Sequence, residues 1–147
     1  MYKKILVGID GSPASLYALG KAAELALKFD GKLYLVMAIP PVQDFVATMT
    51  PIIEGAITLI EENARKTLEE AKKHAEEKGA VVEEMIVETG GAGHVVLENA
   101  KKIGADLIVV GRRGKRSWID KLMGSTASDI VKHAETDVLI VEYREQE

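Results

Sequence analysis

The sequence predicts an α/β fold, an open parallel sheet covered by helices on both faces. Three observations predict it. Apolar, β-branched runs alternate with stretches of helical periodicity in the order βαβαβαβαβ. The first, second, fourth and fifth of these runs lack in–out alternation, the pattern of strands buried on both faces. The length, 147 residues, suits a single domain able to bury a core of its own.

Residues 3–9 (KKILVGI) read as the first buried strand. Ser12-Pro13 is a helix start, because Ser accepts from orphan N–H groups and Pro has none to lose at the first helical position. Leu16, Leu19, Ala23, Ala26 and Leu27 keep helical spacing, and Asp30-Gly31 stops that helix with Gly31 as the left-handed cap. Residues 32–39 (KLYLVMAI) form the second strand, ended by Pro40-Pro41.

Pro51 opens a long amphipathic helix over 52–78. Its apolar face is Ile53, Ile57, Ile60, Ala64, Leu68, Ala71 and Ala75. Glu61–Arg65, Glu62–Lys66 and Glu69–Lys73 are i,i+4 pairs in the favourable order. Residues 80–88 (AVVEEMIVE) form the third strand. Glu83 and Glu84 in its middle suit a sheet edge. Gly90, Gly91 and Gly93 mark a loop, and 94–103 a short helix ended by Gly104. The fourth strand is 105–110 (ADLIVV), followed by a loop over 111–124 and a helix near 125–134. The fifth strand is 137–143 (DVLIVEY).

Composition excludes several classes of function. With no cysteine there is no disulfide framework, thiolate metal site or cysteine nucleophile. The net charge of −4 argues against a general nucleic-acid binder. No stretch resembles a signal peptide or a transmembrane helix, so the expected location is the cytoplasm and no membrane partner is expected. His74, His94 and His133 are dispersed and give no metal set. Walker, nucleophile-elbow and His-Glu-x-x-His motifs are all missing.

Chemistry concentrates after the first and fourth strands. Ligands of open parallel sheets bind beyond the carboxyl ends of strands, where the topology switches. The first strand ends in Gly8, Ile9 and Asp10. The fourth ends in Val110 and runs into Gly111-Arg112-Arg113-Gly114-Lys115-Arg116, and nine residues separate Gly114 from Gly124-Ser125-Thr126. Gly111 and Gly114 permit positive φ and close approach of the backbone to a ligand. Gly124-Ser125-Thr126 opens a helix, bringing free N–H groups and hydroxyls to a positive dipole end, which suits phosphate. Arg112, Arg113, Lys115, Arg116 and Lys121 cluster within an acidic chain, which favours a polyanion. A switch between strands one and four gives the sheet order 3-2-1-4-5. Each element also has a plainer reading: turn glycines, a helix cap, a solvated basic loop, and Asp10 capping the first helix. Trp118, Leu122 and Met123 read as anchors of the long loop.

The motif Gly-x2-Gly-x9-Gly-Ser, the opening KKILVGIDGSPAS and the ending DVLIVE together resemble the universal stress protein family over nearly the whole chain. The resemblance implies a Rossmann-like, adenine-nucleotide alpha-hydrolase-like domain. It points to the family's ATP-binding branch and to a cytoplasmic stress-response homodimer. Gly8 and Asp10, with Ile9 between them, match the loop near ribose and adenine. Met37, or Ala38 one position on, matches the residue whose backbone reads the adenine edge. Val110 through Gly114 match the ribose and phosphate loop, and Gly124, Ser125 and Thr126 the phosphate-binding helix start. Arg113 stands where His is frequent, and Ala127 where some members carry a hydroxyl. Lys115 and Arg116 offer compensating contacts.

The implied ligand is ATP with Mg or Mn, Asp10 reaching the metal through the nucleotide. The implied homodimer pairs through 137–143, a β-rich edge on which Glu142 is the only charge between Val138 and Tyr143. No general base stands beside the phosphate loop, so a regulatory binding module is expected rather than a dedicated catalyst. The alternatives are a slow ATPase or phosphotransferase switch, and a protein-interaction module with a vestigial nucleotide site.

Overall fold

The computed structural model describes residues 1–39, 41, 46–113 and 125–144. They form β1 (Lys4–Gly8), α1 (Pro13–Phe29), β2 (Lys32–Ile39), α2 (Val46–Glu77), β3 (Val82–Thr89), α3 (Ala92–Ile103), β4 (Leu107–Arg113), α4 (Ser125–His133) and β5 (Asp137–Tyr143). All four strand pairings are parallel and the order is β3-β2-β1-β4-β5, as expected. The third and fifth strands are the two edges.

Successive strand residues point to opposite faces, and each face has its own core. On one face Ile5, Val7, Leu33, Leu35, Leu107 and Val109 pack against Ala18, Leu19, Ala22, Ala23 and Ala26 of α1 and Leu68, Ala71 and Ala75 of α2. On the other, Leu6, Val36, Ile108 and Val110 pack against Val95, Val96 and Ala100 of α3 and Ile130 of α4. The amino ends of the strands are tied together by polar contacts. The Lys3 and Lys4 N–H groups donate to the Asp106 carboxylate, and the Tyr2 hydroxyl donates to Asp137 Oδ2 at 2.7 Å. Among the described residues no helix is long and apolar enough to cross a membrane.

Several local expectations need correction. The left-handed cap of α1 is Asp30, at φ 53°, and not Gly31. Asp tolerates that region, and glycine is needed at 31 because a Cβ there would run into the Tyr2 carbonyl oxygen. The buried stripe of α1 is Ser15, Ala18, Leu19, Ala22, Ala23 and Ala26, leaving Leu16 and Leu27 exposed. Helix α2 starts at Val46, ahead of Pro51. Of its expected apolar face, Ala64, Leu68, Ala71 and Ala75 are buried, Ile57 is half-buried and Ile60 is exposed, while the Ile53 side chain lies outside the described residues. None of the three expected i,i+4 pairs of α2 closes to 4.0 Å among the described ion pairs, and all six side chains are in solvent.

Gly93 belongs to α3, not to the loop before it. A Cβ at Gly93 would stand 2.9 Å from Asp129 Cβ, so the glycine is where α3 and α4 touch. The largest correction concerns β4, which continues through Gly111 to Arg113. Gly111 pairs with Val141, Arg112 with Glu142 and Arg113 with Tyr143. The φ of Gly111 is not positive.

Candidate functional site

Strands β1 and β4 are neighbours, and the chain leaves them toward opposite faces. After β1 it enters α1, which packs with α2. The helix after β4 is α4, which packs with α3. That divergence opens a crevice at the carboxyl end of the sheet, the position where open α/β sheets take ligands. Gly8 and Val110 are its floor. A Cβ at Gly8 would stand 3.1 Å from Val110 Cγ1, so a side chain there would have to displace that of Val110 by a few tenths of an ångström.

Asp10 is exposed at the mouth of the crevice. Its Oδ1 accepts from the Ser12 N–H at 2.8 Å. Ser12 is the N-cap of α1, with its Oγ accepting from the Ser15 N–H at 3.1 Å. The Ser15 hydroxyl in turn donates to the Ser12 carbonyl and accepts from the Asp10 N–H. Asp10 thus holds the turn before the helix, while Ser12 makes the cap itself. A depression of about 260 Å³ lies against this turn, lined by Asp10, Ser12, Pro13, Ala14, Gly111, Arg112 and Tyr143.

The hydrogen-bond parity of β2 separates Met37 from Ala38. The Ile9 N–H donates to the Val36 carbonyl, so Val36 turns its backbone groups toward β1. Leu33 and Ile39 turn theirs toward β3 and the segments flanking it, through Leu33 N–H to Val81 O and Gly90 N–H to Ile39 O. Alternation therefore aims the Met37 backbone at β3 and the Ala38 backbone at the β1 side. The Ile9–Val36 bond is the last between β1 and β2 among the described residues, so the Ala38 N–H and C=O face the crevice just beyond it.

Gly111 has a different role from that of a turn. Its missing side chain is occupied by α1: a Cβ would run into the Ala14 carbonyl and stand 3.3 Å from Ala18 Cβ. Arg112 points to the other face and is paired. Its Nη2 donates to Glu142 Oε1 at 3.0 Å, across the β4–β5 ladder. Glu142 Oε2 also accepts from Arg144, at 3.2 Å from Nε and 3.1 Å from Nη2. The Arg112 guanidinium, and after it that of Arg144, hold the Glu142 carboxyl below its ordinary range. Arg113 is the last residue of β4, and Ser125 and Thr126 open α4. Ala127 is buried at 5% exposure. It faces the core, which accounts for an apolar residue there. Gly114, Lys115, Arg116, Trp118, Lys121, Leu122, Met123 and Gly124 lie outside the described residues.

Sequence reasoning missed Glu142 and Tyr143 as neighbours of the site. The signal for Glu142 was present: it stands five residues after Asp137 as Arg112 stands five after Leu107, opposite charges at equal depth in adjacent strands. Tyr143 packs on Tyr17 of α1 with ring centroids 5.7 Å apart, closing the rim on the α1 side.

The sequence profile described as the universal stress protein family matches residues 1–142. A universal stress protein of Methanocaldococcus jannaschii, MJ0531, is 35% identical, the alignment spanning 100% of this chain and 86% of that protein. Among solved structures, a universal stress protein in complex with cAMP is 30% identical with a TM-score of 0.70, covering 95% of this chain and 96% of the other. The universal stress protein of Archaeoglobus fulgidus in complex with dAMP is 25% identical with a TM-score of 0.67, covering 95% and 98%. This chain belongs to the universal stress protein family.

Proposed function

We propose that this protein binds ATP at the carboxyl ends of β1 and β4 and works as a nucleotide-dependent regulatory protein of the stress response. One observation carries the reading: of the Gly-x2-Gly-x9-Gly-Ser motif, Gly111 lies near the carboxyl end of β4 and Ser125 opens α4, two elements that border the crevice, α4 on the side away from α1. In this reading the Ala38 backbone, rather than that of Met37, meets the adenine edge. Gly8, Ile9 and Asp10 border the ribose. Val110 to Arg113, with Gly114, Lys115 and Arg116, follow the ribose and phosphates. Gly124, Ser125 and Thr126 receive the phosphates with free N–H groups at a positive helix end.

Mg²⁺ or Mn²⁺ would arrive with the triphosphate. Among the described residues no three His, Asp or Glu side chains converge to hold an ion. Asp10 is the carboxylate at the crevice mouth and would meet the ion at the nucleotide. The metal would neutralise phosphate charge, and the chain's own residues would orient the nucleotide.

A second reading, a nucleoside monophosphate ligand, is favoured by the cAMP and dAMP complexes of relatives and by the engagement of Arg112 with Glu142. A homodimer through β5 is part of the proposal, supported by its position at the sheet edge. The test is mass spectrometry of small molecules released from freshly purified protein. Retained ATP supports the reading. AMP or a cyclic nucleotide alone supports the second, and an empty protein that takes up neither contradicts both.

A further inference from the structure

The side chains of Ile108 and Val110 on β4, and of Val138 and Ile140 on β5, all pack in the core under α4 with its Ile130. Alternation puts the next residues of those rows, Arg112 and Glu142, on the same face and one step further toward the carboxyl end, where α4 begins. The Arg112–Glu142 pair is therefore at the edge of the crevice on the side of the phosphate-binding helix start. Both side chains are partly exposed, with 25% and 36% of their surface in solvent, and such pairs are weak.

We propose that Glu142 sets the phosphate preference of the site: it holds Arg112 in the nucleotide-free protein, and a polyphosphate must draw Arg112 away from it. The inference rests on the reading that phosphates bind at this end of the sheet. A triphosphate carries enough charge to win the guanidinium, whereas a monophosphate gains less from the exchange. Arg144 makes the exchange feasible. It binds the other oxygen of the same carboxylate, so Glu142 keeps one cation when Arg112 moves. Glu142 thus lowers the advantage of ATP over AMP, acting through Arg112.

The experiment is calorimetric titration of ATP and of AMP, at low salt, into the full chain and into Glu142→Gln. The substitution keeps the shape and removes the charge. The ratio of ATP to AMP affinity should rise by roughly three- to tenfold, and the rise should shrink at high salt. In an Arg112→Ala background the same substitution should change the ratio by less than about twofold, because the route through the arginine is gone. Glu142→Thr, a strand-forming residue, should move the ratio in the same direction as Gln, and circular dichroism checks that both variants fold. An unchanged ratio in Glu142→Gln, or an equal rise in both backgrounds, overturns the inference while leaving the site itself standing. A parent protein that binds neither nucleotide overturns the site and the inference together.

Discussion

The Ala14 carbonyl oxygen of α1 occupies the space where a Cβ on Gly111 would stand. The first glycine of the motif is therefore a packing glycine. It lets the first turn of α1 lie on β4, next to the crevice, while its φ is that of ordinary strand.

Gly111→Ala should accordingly destabilise the fold with or without nucleotide. Overpacking against backbone costs about 1–3 kcal/mol. Urea unfolding of the nucleotide-free protein reads this directly. A variant as stable as the parent would mean that α1 shifts freely, and the packing argument would fail.

The Glu142 carboxyl, lowered by Arg112 first and by Arg144 second, should titrate below the ordinary glutamate range. The folded form then binds its proton less readily than the unfolded form. Whatever stability the group contributes is complete above the ordinary range and is lost as the pH falls through the folded-state midpoint. Carboxyl carbon NMR of Glu142 measures that midpoint. It should rise toward the ordinary value in Arg112→Ala, and a midpoint that stays put would show that Arg112 is not its partner in solution.

Much of the fold was legible in the sequence because two periods dominate it. Strands buried on both faces leave unbroken apolar runs, and β2 and β5 fall on 32–39 and 137–143 as read. The edge position of β3 followed from Glu83 and Glu84. What stayed hidden depends on contacts between distant segments. Gly31, Gly93 and Gly111 are each glycine because another segment lies against them: Tyr2, Asp129 and Ala14. No local pattern announces such a neighbour. Gly111 therefore looked like a turn, and β4 was read as ending at Val110, three residues before its end at Arg113. The basic run had the same difficulty, because the partner of Arg112 is thirty residues away in sequence.

Strand β5 is an edge strand whose Val138, Leu139 and Ile140 are only half-buried. Pairing with a second copy about a two-fold axis would cover it. Light scattering at micromolar concentration should give a dimer, and the outward-facing β5 amides should exchange more slowly as concentration rises. A monomeric parent, or β5 amides indifferent to concentration, would contradict this interface.

Turnover of ATP by the isolated protein should be far slower than the roughly 1 s⁻¹ at the low end of working enzymes. Asp10, the carboxylate at the crevice mouth, is engaged with the Ser12 N–H and holds a turn. Phosphate release measured at saturating ATP and Mg²⁺ tests this. A faster rate that disappears in Asp10→Ala would make the protein an ATPase.

The central claim, that ATP binds on the motif at the exits of β1 and β4, is tested most directly by titrating ATP into nucleotide-free protein and into Gly124→Val. The account predicts saturable binding at one site per chain in the parent, and its loss in a folded Gly124→Val variant. The added side chain would obstruct the backbone that must approach the phosphates. No binding by the parent, or equal binding by both proteins, would contradict it.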